Sequence, residues 1–348
     1  MKMQKQMLWN HRLQLQRPSQ LISLAMEILT VYKQPSIPSH KITINGFVST
    51  LKPVYTSKKK KKKFLYIDKS SVSEILSFNV HACSEKVMIP REKPFIMLDG
   101  EGQATTLIQF NDFGNSITSS TFQLRAENFV ARGITFKNTY NSVIPRRGDG
   151  SQITWAPAAL IGADKAKFYQ CSFMSLQDTL TDSIGRHYFE SCYIEGAIDF
   201  IWGGGQSTYQ GCTINATTAA LHGITGFITA QARNSTVDSG GFVFNSCNVV
   251  GTGPVYLGRA YRKYSRVVFY KSYMYNSIVP EGWSPWTFSG QEDTIVYTEA
   301  DCTGPGSDMS KRVRWLKNLP PWELHLLIDV ATFLNQGGWM EKQPMPPI

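Results

Sequence analysis

The feature that most constrains this chain is a motif that returns about every twenty to twenty-five residues, with occasional longer intervals. "FYQCSF" (Phe168 to Phe173), "YFESCYI" (Tyr188 to Ile194), "TYQGCTI" (Thr208 to Ile214) and "FVFNSCNVV" (Phe242 to Val250) each set an aromatic three residues before a cysteine, at Cys171, Cys192, Cys212 and Cys247. "GITFKNT" before them and "VVFYKSY" after them continue the pattern, with Thr139 and Ser272 in the cysteine's place. From about residue 85 the chain consists of β-branched and aromatic runs broken by Gly, Asn, Asp and Ser, which reads as many short strands. One strand unit of this length cannot bury its apolar face alone, so units stack and like residues align in ladders. The expected fold is all-β, a parallel β-helix. A leucine-rich horseshoe would need a recurring leucine and asparagine framework, which is absent. At inward positions a thiol acts as a small hydrophobe, so free buried cysteines are favoured. Neighbouring rungs are close enough that an oxidised pair stays open.

Charge narrows the partners less than its size implies. The net charge is +10, but six of those charges come from Lys58 to Lys63, a run expected to be a solvated linker. The pI of 9.2 suits work on an acidic polymer without choosing between nucleic acid, anionic lipid and acidic polysaccharide. No RNA-binding, zinc-finger or basic-zipper motif makes that choice. The apolar run Leu21 to Tyr32 is too short to span a membrane, and Glu27 inside it makes a poor signal peptide. Sequons at Asn215 and Asn234 are compatible with a secretory route.

The ladder brings two acids into register. Asp178 in "LQDTL" lies seven residues after Cys171, and Asp199 in "GAIDFIWGGG" lies seven after Cys192. Counted the same way, the next coil offers Ala219. Stacked coils would set the two Asp Cα atoms about 4.8 Å apart. Two carboxylates so close in an apolar setting do not both ionise readily; one keeps its proton and the other stays charged. That is the division between a general acid and a nucleophile or base. A single Asp beside glycine is ordinarily a turn residue; the matched register and the neighbouring Gln177 argue for more.

The runs "GITFKNT", "LQDTL", "GRHYFESCYIEGAIDFIWG", "ITAQAR", "YLGRAYRKYSRVVFY" and "GWSPW" resemble the plant pectin methylesterases, from roughly Glu85 to Trp339. The resemblance implies a right-handed parallel β-helix of the pectin-lyase-like solenoid type. By it, Asp199 matches the nucleophile that attacks the methyl ester at C6 of a galacturonate unit. Asp178 matches the acid that protonates departing methanol and then serves as base. Gln177 matches an oxyanion-stabilising amide, and Arg259 the arginine that holds the nucleophilic carboxylate. Trp286 and Tyr261 match sugar-packing residues, and Trp202 stands where Phe is usual. The implied partners are methyl-esterified homogalacturonan and proteinaceous pectinesterase inhibitors, with no nucleic acid and no membrane. The implied protein is a secreted monomer of the cell wall. No metal or organic cofactor is implied.

Departures accompany the matches. A second oxyanion glutamine is usual where Trp155 stands; Gln152, three residues upstream, is the substitute within the segment. Near the N-terminus "YIDKSSVSEILSFNVHACSEKVMIP" keeps the two ends of the family's first coil but lacks its middle. Residues 1–63 therefore read as a non-family extension and 64–348 as the β-helix domain, its first coil truncated. These departures keep a catalytically weak pectin-binding homologue as the alternative. A pectate lyase or polygalacturonase is third, since neither their calcium carboxylates nor their aspartate set is present. "VDSGG" (Val237 to Gly241) reads as a turn, "GGGQST" (Gly203 to Thr208) lacks a phosphate loop's ending, and His187 reads as structural. "PPWELHLLIDVATFLN" predicts a C-terminal helix packed on the final coils.

Overall fold

The computed structural model describes residues 83–142 and 152–343, together with the backbone of strands 42–44, 64–66 and 74–78. The apolar run Leu21 to Tyr32 and the lysine run Lys58 to Lys63 lie outside the described residues. The described strands fall into three sheets, of ten, eight and nine strands, and every pairing is parallel. Each turn of the chain contributes one strand to each sheet, for example Arg186–Glu190, Tyr193–Gly196 and Ile201–Gly203. This is the expected right-handed parallel β-helix. Backbone strands 64–66 and 74–78 continue two of the sheets on the N-terminal side of Lys86, and strand 42–44 pairs with 74–78.

The repeating aromatic explains why the coils stack. Phe168, Phe189, Tyr209, Phe244 and Phe269 form a continuous interior column, with successive ring centroids 5.0, 4.7, 4.5 and 4.4 Å apart. Each fully buried ring contributes about 2 kcal/mol of apolar burial, and each stacked pair adds about 1 kcal/mol. Cys171, Cys192, Cys212 and Cys247 form a second column beside it and are free, buried thiols. Their S–H groups find carbonyls, as when Cys192 donates to the oxygen of Phe168 at 3.4 Å. Cys302 follows Ser272 in the same column, since Tyr273 pairs with Thr303.

Two sequence alignments need correction. In the coil before Cys171 the column is continued by Ala131 and Ile134, because Phe168 pairs with Ala131 and Ser172 with Thr135. Phe136 sits in the neighbouring sheet as the counterpart of Phe173, so Thr139 does not hold the cysteine's place. Likewise Ala219 does not follow Asp199. The coil after Asp199 carries a longer loop with a 3-10 turn at Thr218–Leu221. Thr229 pairs with Ile201 and the N–H of Phe227 donates to the carbonyl of Ala197 at 2.9 Å, so Phe227 is the residue that lies beside this corner in the next coil.

The C-terminal segment forms two short helices rather than one, Pro321–Ile328 and Val330–Phe333. Asp329 ends the first and caps the second by accepting from the N–H groups of Ala331 and Thr332. Phe333, Leu334 and Trp339 cover Tyr188, Val243 and Val268 on the outer face of the ten-stranded sheet. They close an apolar flank that the repeat alone leaves open.

Candidate active site

Both acids occupy the corner where the chain leaves the eight-stranded sheet and enters the nine-stranded one. Asp178 precedes strand Leu180–Asp182, and Asp199 precedes Ile201–Gly203. Gln177 bridges Ile198 and Leu180 pairs with Ile201, which puts the two Asp residues level in adjacent coils. The N–H of Asp178 donates to the carbonyl of Ile198 at 3.0 Å. Each Asp adopts a left-handed backbone, φ 59° and 47°, a conformation that Asp tolerates better than most L-residues. The shared turn gives the two side chains a shared direction. They are 6% and 7% exposed, so neither is a solvated turn carboxylate.

Arg259 separates them chemically. It ends strand Val255–Arg259, two strands along the sheet from Asp199. Its Nε donates to Asp199 Oδ1 at 2.8 Å, and one terminal nitrogen donates to Oδ2 at 2.5 Å. A planar fork on a carboxylate is the strong form of ion pair. Burial raises the Asp199 carboxyl from the ordinary aspartate range, and the hydrogen bonds and charge of Arg259 pull against that rise. Burial, then the charge of Asp199, push Asp178 up to about 8, with Arg259 a smaller opposing influence. The two carboxyls therefore differ in their surroundings: Asp199 is forked by an arginine, whereas Asp178 beside it has no such partner among the described residues and keeps its proton up to about pH 8.

Aromatic rings surround this pair. The guanidinium of Arg259 lies 4.3 Å from the ring centroid of Phe227 and 4.0 Å from that of Trp286. Tyr261 stands between Trp286 and Trp202, with centroids 5.8 and 5.7 Å away, forming a strip along the surface. The indole nitrogen of Trp202 is buried and has no hydrogen-bond partner among the described residues. Gln177 is half-buried immediately before Asp178. Trp155 is 49% exposed and Gln152 is exposed, one coil earlier; the N–H of Ala156, next to Trp155, donates to the carbonyl of Gln177 at 3.4 Å. The structure thus brings Asp178, Asp199, Gln177, Arg259, Trp202, Tyr261 and Trp286 to one face. Gln152 makes no described contact with either acid.

Comparison with known proteins decides the family. The pectinesterase family profile matches residues 65–321. The chain belongs to the pectinesterase family. Among curated relatives, "Probable pectinesterase 29" of Arabidopsis thaliana is 46% identical over 263 residues, covering 75% of this chain and 78% of the relative. "Probable pectinesterase 55" of the same plant is 45% identical over 264 residues, covering 75% and 79%. Among solved structures, the pectin methylesterase from carrot superposes with a TM-score of 0.72 at 28% identity, covering 80% of this chain and 89% of that one. As a pectinesterase the chain is a carboxylic ester hydrolase.

Within this pectinesterase, sequence reasoning missed Phe227, the aromatic against Arg259. The signal was present in "GFITAQ", but the longer loop displaced the count by which Asp199's neighbour was sought. His187 is confirmed as an interior residue, fully buried, with Nδ1 2.5 Å from Asp182 Oδ1 and Nε2 2.8 Å from the carbonyl oxygen of Ala163. Of the two sequons, Asn215 lies within a strand with its amide nitrogen donating to the Tyr193 hydroxyl at 2.7 Å, whereas Asn234 is exposed in a loop.

Proposed function

We propose that this pectinesterase hydrolyses the C6 methyl esters of cell-wall homogalacturonan, leaving acidic pectate and methanol. The observation that carries the reading is the asymmetry between level carboxyls, one forked by Arg259 and the other held protonated. The Asp199 carboxylate attacks the ester carbonyl carbon, and the carbonyl oxygen takes the negative charge. The Gln177 side-chain amide donates to that oxygen. As the tetrahedral species collapses, Asp178 gives its proton to the methoxy oxygen, methanol leaves, and an acyl anhydride remains on Asp199. Asp178, now a carboxylate, takes a proton from water, whose oxygen attacks the anhydride and returns Asp199 to its starting state.

Trp202, Tyr261 and Trp286 offer faces to sugar rings. The setting is extracellular, with a monomer acting on the polymer and open to proteinaceous pectinesterase inhibitors. One observation favours a second reading, that of a catalytically weak pectin-binding homologue. Trp155 has no amide to offer as a second oxyanion donor, and losing one such donor costs about a hundredfold in rate.

The deciding experiment is methanol release from highly methylated pectin by the purified chain beside Asp199→Asn. Release by the wild type and a loss of at least about a thousandfold in the variant are expected. Equal release from both would overturn the nucleophile assignment. No release from either, with pectin still bound, would favour the second reading.

A further inference from the structure

The Arg259 side chain has a distance to cover. Strand Val255–Arg259 pairs with Gly226–Gln231, and Gly226–Gln231 with Ile201–Gly203, so Arg259 reaches Asp199 across an intervening coil. Phe227 belongs to that coil, and its ring centroid is 4.3 Å from the guanidinium carbon. Phe227 is itself fixed by stacking on Tyr256, with centroids 5.2 Å apart and planes 9° from parallel. Trp286 provides the second ring, 4.0 Å away. Its backbone N–H donates to the Ser284 hydroxyl at 3.2 Å, and Ser284 pairs with Arg259 in the sheet. A free arginine side chain has about 2 kcal/mol of rotamer entropy, and aromatic faces attract a guanidinium most strongly where water is excluded.

We propose that Phe227 is a positioning residue that works with Trp286 to clasp the Arg259 guanidinium, so that both of its hydrogen bonds to Asp199 are formed before substrate arrives. Phe227 acts through Arg259 rather than on the ester. The inference rests on the reading of Asp199 as nucleophile only in its consequence for rate; the clasp itself is a property of the resting protein. Loosening it withdraws positive charge from Asp199, which raises the Asp199 carboxyl further and leaves less carboxylate at a given pH.

The test compares Phe227→Leu with Phe227→Tyr in the full chain. On methylated pectin, Phe227→Leu should lower kcat about tenfold, equal to about 1.4 kcal/mol, with KM within about twofold of wild type. The acid limb of its pH profile should move to higher pH, and Phe227→Tyr should restore both. The Asp199 carboxyl is also titrated by 13C NMR, with Asp199→Asn identifying its signal, and this reads the clasp without turnover. An upward shift in Phe227→Leu is expected there, with urea unfolding confirming that the variant is folded. A raised KM at unchanged kcat would make Phe227 a sugar contact and overturn the proposal, as would an unmoved Asp199 titration. A moved titration in a chain that releases no methanol would sustain the clasp and refute the esterase reading alone.

Discussion

Arg259 donates to both oxygens of Asp199 from sixty residues away in sequence. Asp178 lies one rung over, buried, and within the repulsion of the charge that this fork maintains. The corner is held by the rest of the fold at a cost in stability, and that cost is measurable.

Removing the Asp178 carboxyl should stabilise the protein and disable it. Its folded value of about 8 lies above the ordinary 3.8. As pH rises between those values an unfolded chain releases a proton that the folded one retains, so stability falls across that window and levels off beyond about pH 8. Asp178→Asn removes this dependence. Urea unfolding at pH 7 should show a gain of about 2 kcal/mol. Methanol release should fall at least about a hundredfold. In the wild type, release should decline as pH passes about 8 and the acid loses its proton.

Trp155→Gln addresses the missing donor. Position 155 adjoins Ala156, whose N–H donates to the carbonyl of Gln177, so an amide there lies beside the existing one. A second preorganised donor is expected to raise kcat by about ten- to a hundredfold with little change in KM. Steady-state methanol release distinguishes this from a gain in binding. An unchanged kcat would mean that the oxyanion is served from Gln177 alone.

The acid pair was legible in the sequence because the coils that carry Asp178 and Asp199 have equal lengths, so a count from Cys171 and Cys192 lands on the same corner twice. The count fails one coil later. The loop before Gly226–Gln231 is longer, and seven residues after Cys212 lies the 3-10 turn at Thr218–Leu221 instead of the corner. A similar failure upstream made Phe136 look like the column aromatic, because Phe173 provides a second aromatic column in the next sheet. The Arg259–Asp199 contact followed from family resemblance. No spacing rule links residues on strands two apart, since their separation depends on every loop between them.

His187 should make stability depend on pH independently of the active site. Both of its ring nitrogens face acceptors, Asp182 Oδ1 and the Ala163 carbonyl, so the ring is bound as an imidazolium. The Tyr209 hydroxyl occupies the other oxygen of Asp182 at 2.6 Å, and Asp164 adds a more distant negative charge. Burial opposes the charge, but the charge and hydrogen bond of Asp182 outweigh it and hold His187 above its ordinary 6.5. This contribution is complete below about pH 6.5 and is lost as pH rises through the folded value. Asp182→Asn should cost about 3–5 kcal/mol at pH 6, because it leaves a buried charge unpaired. In urea titrations, the difference between wild type and His187→Gln should shrink as pH rises above 6.5.

The three glycines that follow Trp202 should respond unequally to alanine. A Cβ on Gly203 would lie 2.2 Å from the backbone oxygen of Asp182, at a φ of +125° that L-residues rarely adopt. On Gly205 it would lie 2.1 Å from Asp182 Oδ1, the oxygen that holds His187. On Gly204 its nearest neighbour is the Ser183 carbonyl oxygen at 3.2 Å, which needs to yield only a few tenths of an ångström. Gly203→Ala is therefore expected to cost at least about 3 kcal/mol and Gly204→Ala less than about 1 kcal/mol. Gly205→Ala should destabilise the protein by displacing the Asp182 carboxylate, and the pH dependence assigned to His187 should weaken with it. Urea unfolding of the three variants at pH 6 and pH 8 separates these outcomes. A uniform response would show that the run serves only chain flexibility, whereas an unequal one ties Gly203 and Gly205 to the close approach of the Asp182 coil.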